Sequence, residues 1–188
     1  MIIVRKLIVD EFNEIFDARG MKYKEYPSYF DRIRDYTKDI LKEAPDEFLE
    51  GSLLEQQLSE IIKNGIKHGN KCDPRKMLRV WYDLRTKVRF IVEDEGAGFK
   101  NLEDWNEFYR KRQTALFNNQ FDKFLELAGY RHKNSDADDG GNSLVAAMEY
   151  WNGGIVYNKK KCKIGVIRWF ASSSASRAEQ KNIYANSY

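Results

Sequence analysis

Residues 54–68 constrain the fold most, because their apolar side chains recur with a helical period. Leu54, Leu58, Ile61, Ile62 and Ile66 form one broad stripe on a helix of 3.6 residues per turn. A stripe of that width must be buried, and the residues that follow supply a partner. Leu78, Val80 and Tyr82 alternate with other side chains, as do Val88, Phe90 and Val92, with Arg85-Thr86 as the turn between the two runs. A helical period giving way at once to two stretches of period two predicts a helix packed on a β-hairpin. Ser52, with Glu55 three residues on, has the pattern of a capping box, and Gly69-Asn70 has that of a C-terminal stop.

The remaining segments extend this unit. Met1–Val9 reads as a strand, and residues 10–18 as a short helix stopped by Gly20. Tyr29–Glu43 places Phe30, Ile33, Tyr36, Ile40 and Leu41 at helical spacing, and Pro45-Asp46 ends it. Residues 100–139 form a long polar stretch, read as a lid, with amphipathic pieces at Trp105–Tyr109 and Phe117–Leu127. Its aromatic residues (Trp105, Phe108, Tyr109, Phe117, Phe121 and Phe124) are expected to cover the domain's own core. A helix at Ser143–Trp151 and a hairpin made of Ile155–Tyr157 and Ile164–Phe170 follow, and the basic run Lys159–Lys163 between them reads as a solvated turn. Residues 171–188, rich in Ser, Asn and Ala, read as a flexible tail. The predicted fold is an α+β two-layer sandwich over residues 1–170, with a mixed, mostly antiparallel sheet and helices on one face.

Composition removes several classes of function. The 188 residues suit one domain. Lys and Arg number 32 against 29 acidic residues, and the resulting charge of +3 is too weak for direct nucleic-acid binding. No apolar run approaches the roughly 18 residues of a membrane span. Cys72 and Cys162 lie far apart without CxxC spacing, which fits a reducing compartment, so a cytoplasmic protein is expected.

The helix also carries a polar row. Glu60, Asn64 and His68 stand at i, i+4 and i+8, on a different side from the apolar stripe. Glu60 has the chemistry to orient or deprotonate an attacking hydroxyl or water. Asn64 offers a neutral carbonyl oxygen suited to a hard cation such as Mg²⁺ held mainly by phosphates and water. His68 could contact phosphate or hold the helix end. Polar residues at this spacing occur on most surface helices, so the row alone decides nothing.

A second group follows the hairpin. Strand Lys87–Glu93 runs into Asp94-Glu95-Gly96-Ala97-Gly98. A carboxylate at a strand end can accept a hydrogen bond from the amino group of adenine, where guanine presents a carbonyl. Gly96 and Gly98 permit close backbone approach to a ligand. Further on, Gly140-Gly141 precedes a helix whose exposed N–H groups and dipole would favour phosphate.

The combined order resembles the GHKL ATPases (histidine kinase and gyrase B-like), which share the Bergerat ATP-binding fold. Over residues 50–170, Glu60 and Asn64 match that family's N box, Asp94, Gly96 and Gly98 its first glycine box, and Gly140-Gly141 its second, with Ser143 standing where a third glycine is common. The resemblance implies ATP and Mg²⁺ as cofactors, Glu60 as the catalytic base, Asn64 as a Mg²⁺ ligand, and His68 and Ser143 beside the nucleotide. Compact size, Asn64-Gly-Ile-Lys-His-Gly69 and Gly140-Gly-Asn-Ser-Leu144 look like the anti-sigma-factor serine-protein kinases. That branch implies a regulatory protein partner, a sigma factor or an antagonist-like domain, with phosphorylation of a serine on the antagonist. A nucleotide-binding regulatory module with little or no phosphotransfer is the alternative, and self-association into a homodimer stays open.

Overall fold

The computed structural model describes residues 6–49, 53–128, 130 and 143–170. Six strands form one mixed sheet in the order β1-β5-β6-β4-β3-β2: β1 (Ile8–Val9), β2 (Lys22–Pro27), β3 (Met77–Asp83), β4 (Val88–Glu93), β5 (Ile155–Tyr157) and β6 (Lys163–Arg168). Only β1 and β5 pair in parallel; the other pairings are antiparallel. The helices are α1 (Ile33–Leu41), α2 (Asp46–Leu49), α3 (Leu54–Asn64), α4 (Leu102–Phe117), α5 (Phe121–Glu126) and α6 (Ser143–Tyr150). The chain is therefore an α+β fold. No helix among the described residues is long and apolar enough to cross a membrane.

Alternation sets the two sides of the sheet. Leu78, Val80 and Tyr82 of β3, Val88, Phe90 and Val92 of β4, and Val166 of β6 are buried in one cluster with the apolar faces of α1, α3, α4 and α6. The helices that contribute buried side chains thus share one face. On the opposite face Ile15, Val156, Ile167 and Trp169 form a smaller cluster, where the segment around Glu14–Phe16 covers β5 and β6.

Several segments differ from the sequence expectation. Residues 10–18 make only a 3-10 turn, Glu14–Phe16, whose start is held by the Asn13 side chain accepting from the Ile15 N–H at 3.1 Å. The predicted helix Tyr29–Glu43 divides into a 3-10 turn at Phe30–Arg32 and then α1. Strand β2 has no counterpart in the sequence pattern. Only Tyr26 of its six residues is fully buried, because it is an edge strand paired on one side to β3. Much of the stretch read as a polar lid is instead a docked helix. Leu102, Trp105 and Tyr109 of α4 are buried in the core, with the Trp105 and Tyr109 rings stacked at 5.0 Å. The expectation for the lid aromatics holds for these two, and for the partly buried Phe108. It fails for Phe117 and Phe121, which are 63% and 59% exposed. Residues 131–139 of that stretch, the tail 171–188 and the capping Ser52 lie outside the described residues.

Candidate functional site

Helix α3 buries Leu54, Leu58, Ile61 and Ile62 and turns Glu60 and Asn64 away from that stripe. The Glu60 carboxylate is partly exposed, with Lys63 Nζ 3.3 Å from both its oxygens. Asn64 and His68 are exposed. The helix does not run uniformly to His68. Gly65–Gly69 is a π-turn, in which the Asn70 N–H donates to the Gly65 carbonyl at 2.8 Å. In a straight α-helix each four-residue step drifts by about 40°. The wider π-turn slows that drift, so His68 stays closer to the line of Glu60 and Asn64 than α-helical spacing alone would place it. π-turns of this kind recur at functional sites.

That turn delivers Gly69 to Asp94. A Cβ on Gly69 would collide with the Asp94 carboxyl group, and one on Gly96 would collide with the Gly69 carbonyl. The end of α3 and the glycine loop after β4, separate in sequence, are thus in direct contact. Asn70 locks the contact. Fully buried, its Nδ2 donates to Ser28 Oγ (2.8 Å) and the Met77 carbonyl (3.1 Å), while its Oδ1 accepts from the Glu95 N–H at 2.6 Å. In the sequence Gly69-Asn70 reads only as a helix stop, and a single buried asparagine after a glycine leaves no periodic signal.

The β5–β6 turn closes the other side of the loop. The Asp94 N–H donates to the Cys162 carbonyl at 2.9 Å, and the Phe99 N–H to the Lys161 carbonyl at 3.0 Å. Gly98 has φ +78°, and a Cβ there would run into the Lys160 carbonyl oxygen. Gly98→Ala is therefore expected to destabilise the fold by more than the ~1–2 kcal/mol cost of a left-handed non-glycine residue, because the new Cβ also meets the Lys160 carbonyl, as measured by urea denaturation. Wild-type stability in that variant would mean that the loop is free to move. The basic run is only partly a solvated turn: Lys159 and Lys160 are exposed, but Lys161 pairs with Glu103 and Lys163 with Glu93, each at 2.9 Å.

Asp94 is the electrostatic outlier of the site. Burial pushes its pKa up from 3.8 to about 6, aided by the nearby charge of Glu93; the hydrogen bond from Gly96 N–H and the charge of Lys76 oppose the shift without cancelling it. The Gly96 N–H, at 2.8 Å from Oδ1, is its one hydrogen-bond donor among the described residues. A half-buried carboxylate with unused acceptor capacity, and no salt-bridge partner among the described residues, fits an incoming amino group. Ser143 is exposed at the start of α6, whereas Gly140 and Gly141 lie outside the described residues. Among the described residues no group of three or more His, Cys, Asp or Glu side chains could hold a metal ion. A cation bound by Asn64 and phosphate oxygens would not need such a cluster. An open groove of about 670 Å³ lies at the opposite end of α3, lined by Phe30, Ile33, Leu53 and Ser59 among others.

No family model matches the chain, and no curated protein matches it.

Proposed function

We propose that this chain is an ATP-binding regulatory protein of the Bergerat type, a cytoplasmic serine-protein kinase that acts as an anti-sigma-factor-like switch on a protein partner. The observation that carries this reading is the contact between Gly69 and Asp94. It joins the helix bearing Glu60 and Asn64 to a strand-end carboxylate whose acceptor capacity is largely unused. The mixed sheet with helices on one face is compatible with that fold.

Each residue then has a defined task. Asp94 accepts from the amino group of adenine. Gly96 and Gly98, whose missing Cβ atoms admit the Gly69 and Lys160 carbonyls, hold in place the loop that carries Asp94. Asn64 presents its carbonyl oxygen to Mg²⁺, His68 sits at the phosphate end, and the residues Gly140, Gly141 and Ser143 before and at the start of α6 offer N–H groups to phosphate. Bound ATP would supply the phosphoryl group for a serine hydroxyl of the partner. Glu60 orients that hydroxyl and takes its proton.

The second reading, a nucleotide-responsive module with little transfer activity, is favoured by one observation. Lys63 sits beside both oxygens of Glu60 and competes for the carboxylate.

Calorimetry with Mg-ATP and Mg-GTP tests the shared core of both readings. The expected result is a clear preference for ATP, with Asp94→Ala weakening ATP by about 1–3 kcal/mol, the range for removing a partner from a buried hydrogen bond. Equal affinity for the two nucleotides would overturn it.

A further inference from the structure

Resting on the nucleotide reading above, we propose that Tyr157 reads the base together with Asp94: its hydroxyl donates to N1 of adenine while Asp94 accepts from the neighbouring amino group. The sheet register places the two residues on one surface. Val92 pairs with Ile164 and Ile164 with Tyr157, so these three side chains form a row across β4, β6 and β5. The row faces the helices, because Val92 is buried in the helix-side cluster and Ile164 and Tyr157 pack against it. Asp94 follows Val92 by two residues and so projects from the same face. Two strand spacings, roughly 10 Å, separate the Val92 and Tyr157 backbones. The two groups are near enough for the charge of Asp94 to act on the Tyr157 hydroxyl, and both lie on the face that a planar base would meet with one edge.

The Tyr157 side chain is held but not sealed. Its ring packs on Phe99, with centroids 5.9 Å apart and planes tilted by 50°. Phe99 in turn is tethered to the β5–β6 turn through its backbone N–H. Tyr157 is partly exposed, and its hydroxyl makes no hydrogen bond to the described residues. A phenylalanine would pack equally well against Phe99 and Ile164, whereas a tyrosine hydroxyl in a crowded place ordinarily finds a partner. Burial and the negative charge of Asp94 both raise its pKa. The group therefore stays protonated, and so a donor, at neutral pH.

The two groups together present an acceptor beside a donor. Adenine offers the complement, an amino donor beside the N1 acceptor. Guanine offers the reverse, a carbonyl acceptor beside an N1–H donor: its carbonyl would meet the Asp94 carboxylate like against like, whereas the Tyr157 hydroxyl could turn to accept from N1–H. Tyr157 thus adds a second hydrogen bond to the base, while Asp94 carries the discrimination against guanine.

The test compares ATP with 1-deaza-ATP, in which N1 is replaced by CH, by calorimetry on the full chain and on Tyr157→Phe. The parent should bind 1-deaza-ATP roughly three- to tenfold more weakly than ATP, the range for one neutral hydrogen bond. Tyr157→Phe should lose a similar factor for ATP and no longer distinguish the two nucleotides. If the parent binds both equally, or if Tyr157→Phe still discriminates, the proposal fails while nucleotide binding stands. The parent comparison alone decides the matter if Tyr157→Phe folds poorly. Binding of neither nucleotide by the parent would overturn the nucleotide reading and this proposal together.

Discussion

Glu60→Ala is expected to keep Mg-ATP affinity within about tenfold, roughly 1.4 kcal/mol, while lowering phosphotransfer by about 10²–10⁴-fold, the usual contribution of a positioned general base. The separation follows from where the carboxylate acts. Its useful interaction is with the attacking hydroxyl, made chiefly in the transition state, so its loss falls on turnover and not on binding. The native Lys63 pair does not change this. Both side chains are partly exposed and the contact is 3.3 Å, a geometry that contributes little to stability. Asn64→Ala, which removes a Mg²⁺ ligand, should weaken metal-dependent binding and transfer together. Titrations of each variant with Mg-ATP, beside a transfer assay using labelled γ-phosphate, separate the two patterns. Parent-like transfer by Glu60→Ala would remove it as the base, and a parent that transfers to no partner would favour the regulatory-module reading.

Asp94→Asn should move stability and binding in opposite directions. The folded-state pKa of Asp94 is raised from 3.8 to about 6. A raised carboxylate pKa means that the folded state holds the proton more tightly than the unfolded chain. The stability this provides is present below pH 4 and is lost as pH rises through about 6. Above that, the native protein carries a charge it would fold better without. Two units correspond to nearly 3 kcal/mol, and partial solvent access reduces this to about 2 kcal/mol. The amide oxygen introduced by Asp94→Asn could still accept from the Gly96 N–H, so the substitution should stabilise the nucleotide-free protein by about 2 kcal/mol at pH 8 and by almost nothing at pH 4. ATP affinity should fall more than tenfold, because the amide would turn an N–H toward the amino group of the base, and discrimination against GTP should shrink. Urea denaturation at pH 4, 6 and 8 reads the first effect and calorimetry the second. A variant less stable than the parent at pH 8 would mean that Asp94 is a structural residue and not one kept at a cost for a ligand.

The parts of this molecule legible in the sequence are those where burial is periodic. The α3 stripe and the alternating β3 and β4 residues announce themselves because each buried side chain repeats at the interval of its own secondary structure. Strand β2 escapes because Lys22, Tyr23, Lys24 and Glu25 meet solvent at a sheet edge and bury nothing completely. Helix α4 carries Leu102, Trp105 and Tyr109 at helical spacing, but the sequence shows it only as a short amphipathic piece at Trp105–Tyr109, because its many charged residues dilute the pattern over the rest. Within the candidate site, Asp94, Gly96 and Gly98 stand out as a carboxylate and two glycines directly after a strand. Asn70 and Tyr157 do not, since one polar or aromatic side chain acquires its meaning only from what the fold sets beside it. The π-turn is equally silent, because five residues do not distinguish it from an α-helix by pattern.

That turn also fixes the length of the chain between helix and strand. A π-turn is an α-helix holding one more residue than its hydrogen-bond ladder requires, stabilised here by what surrounds Gly65–Gly69. Removing a single residue from it would let the segment relax to regular α-helix, with ordinary bonds four residues apart in place of the wider ones. The same relaxation would draw Gly69 back from Asp94 and rotate Asn70 away from Ser28, Met77 and Glu95, the groups it now joins. A deletion harmless to the helix would therefore dismantle the junction beyond it, and spacing in this stretch is as much a determinant of the site as the identity of any side chain.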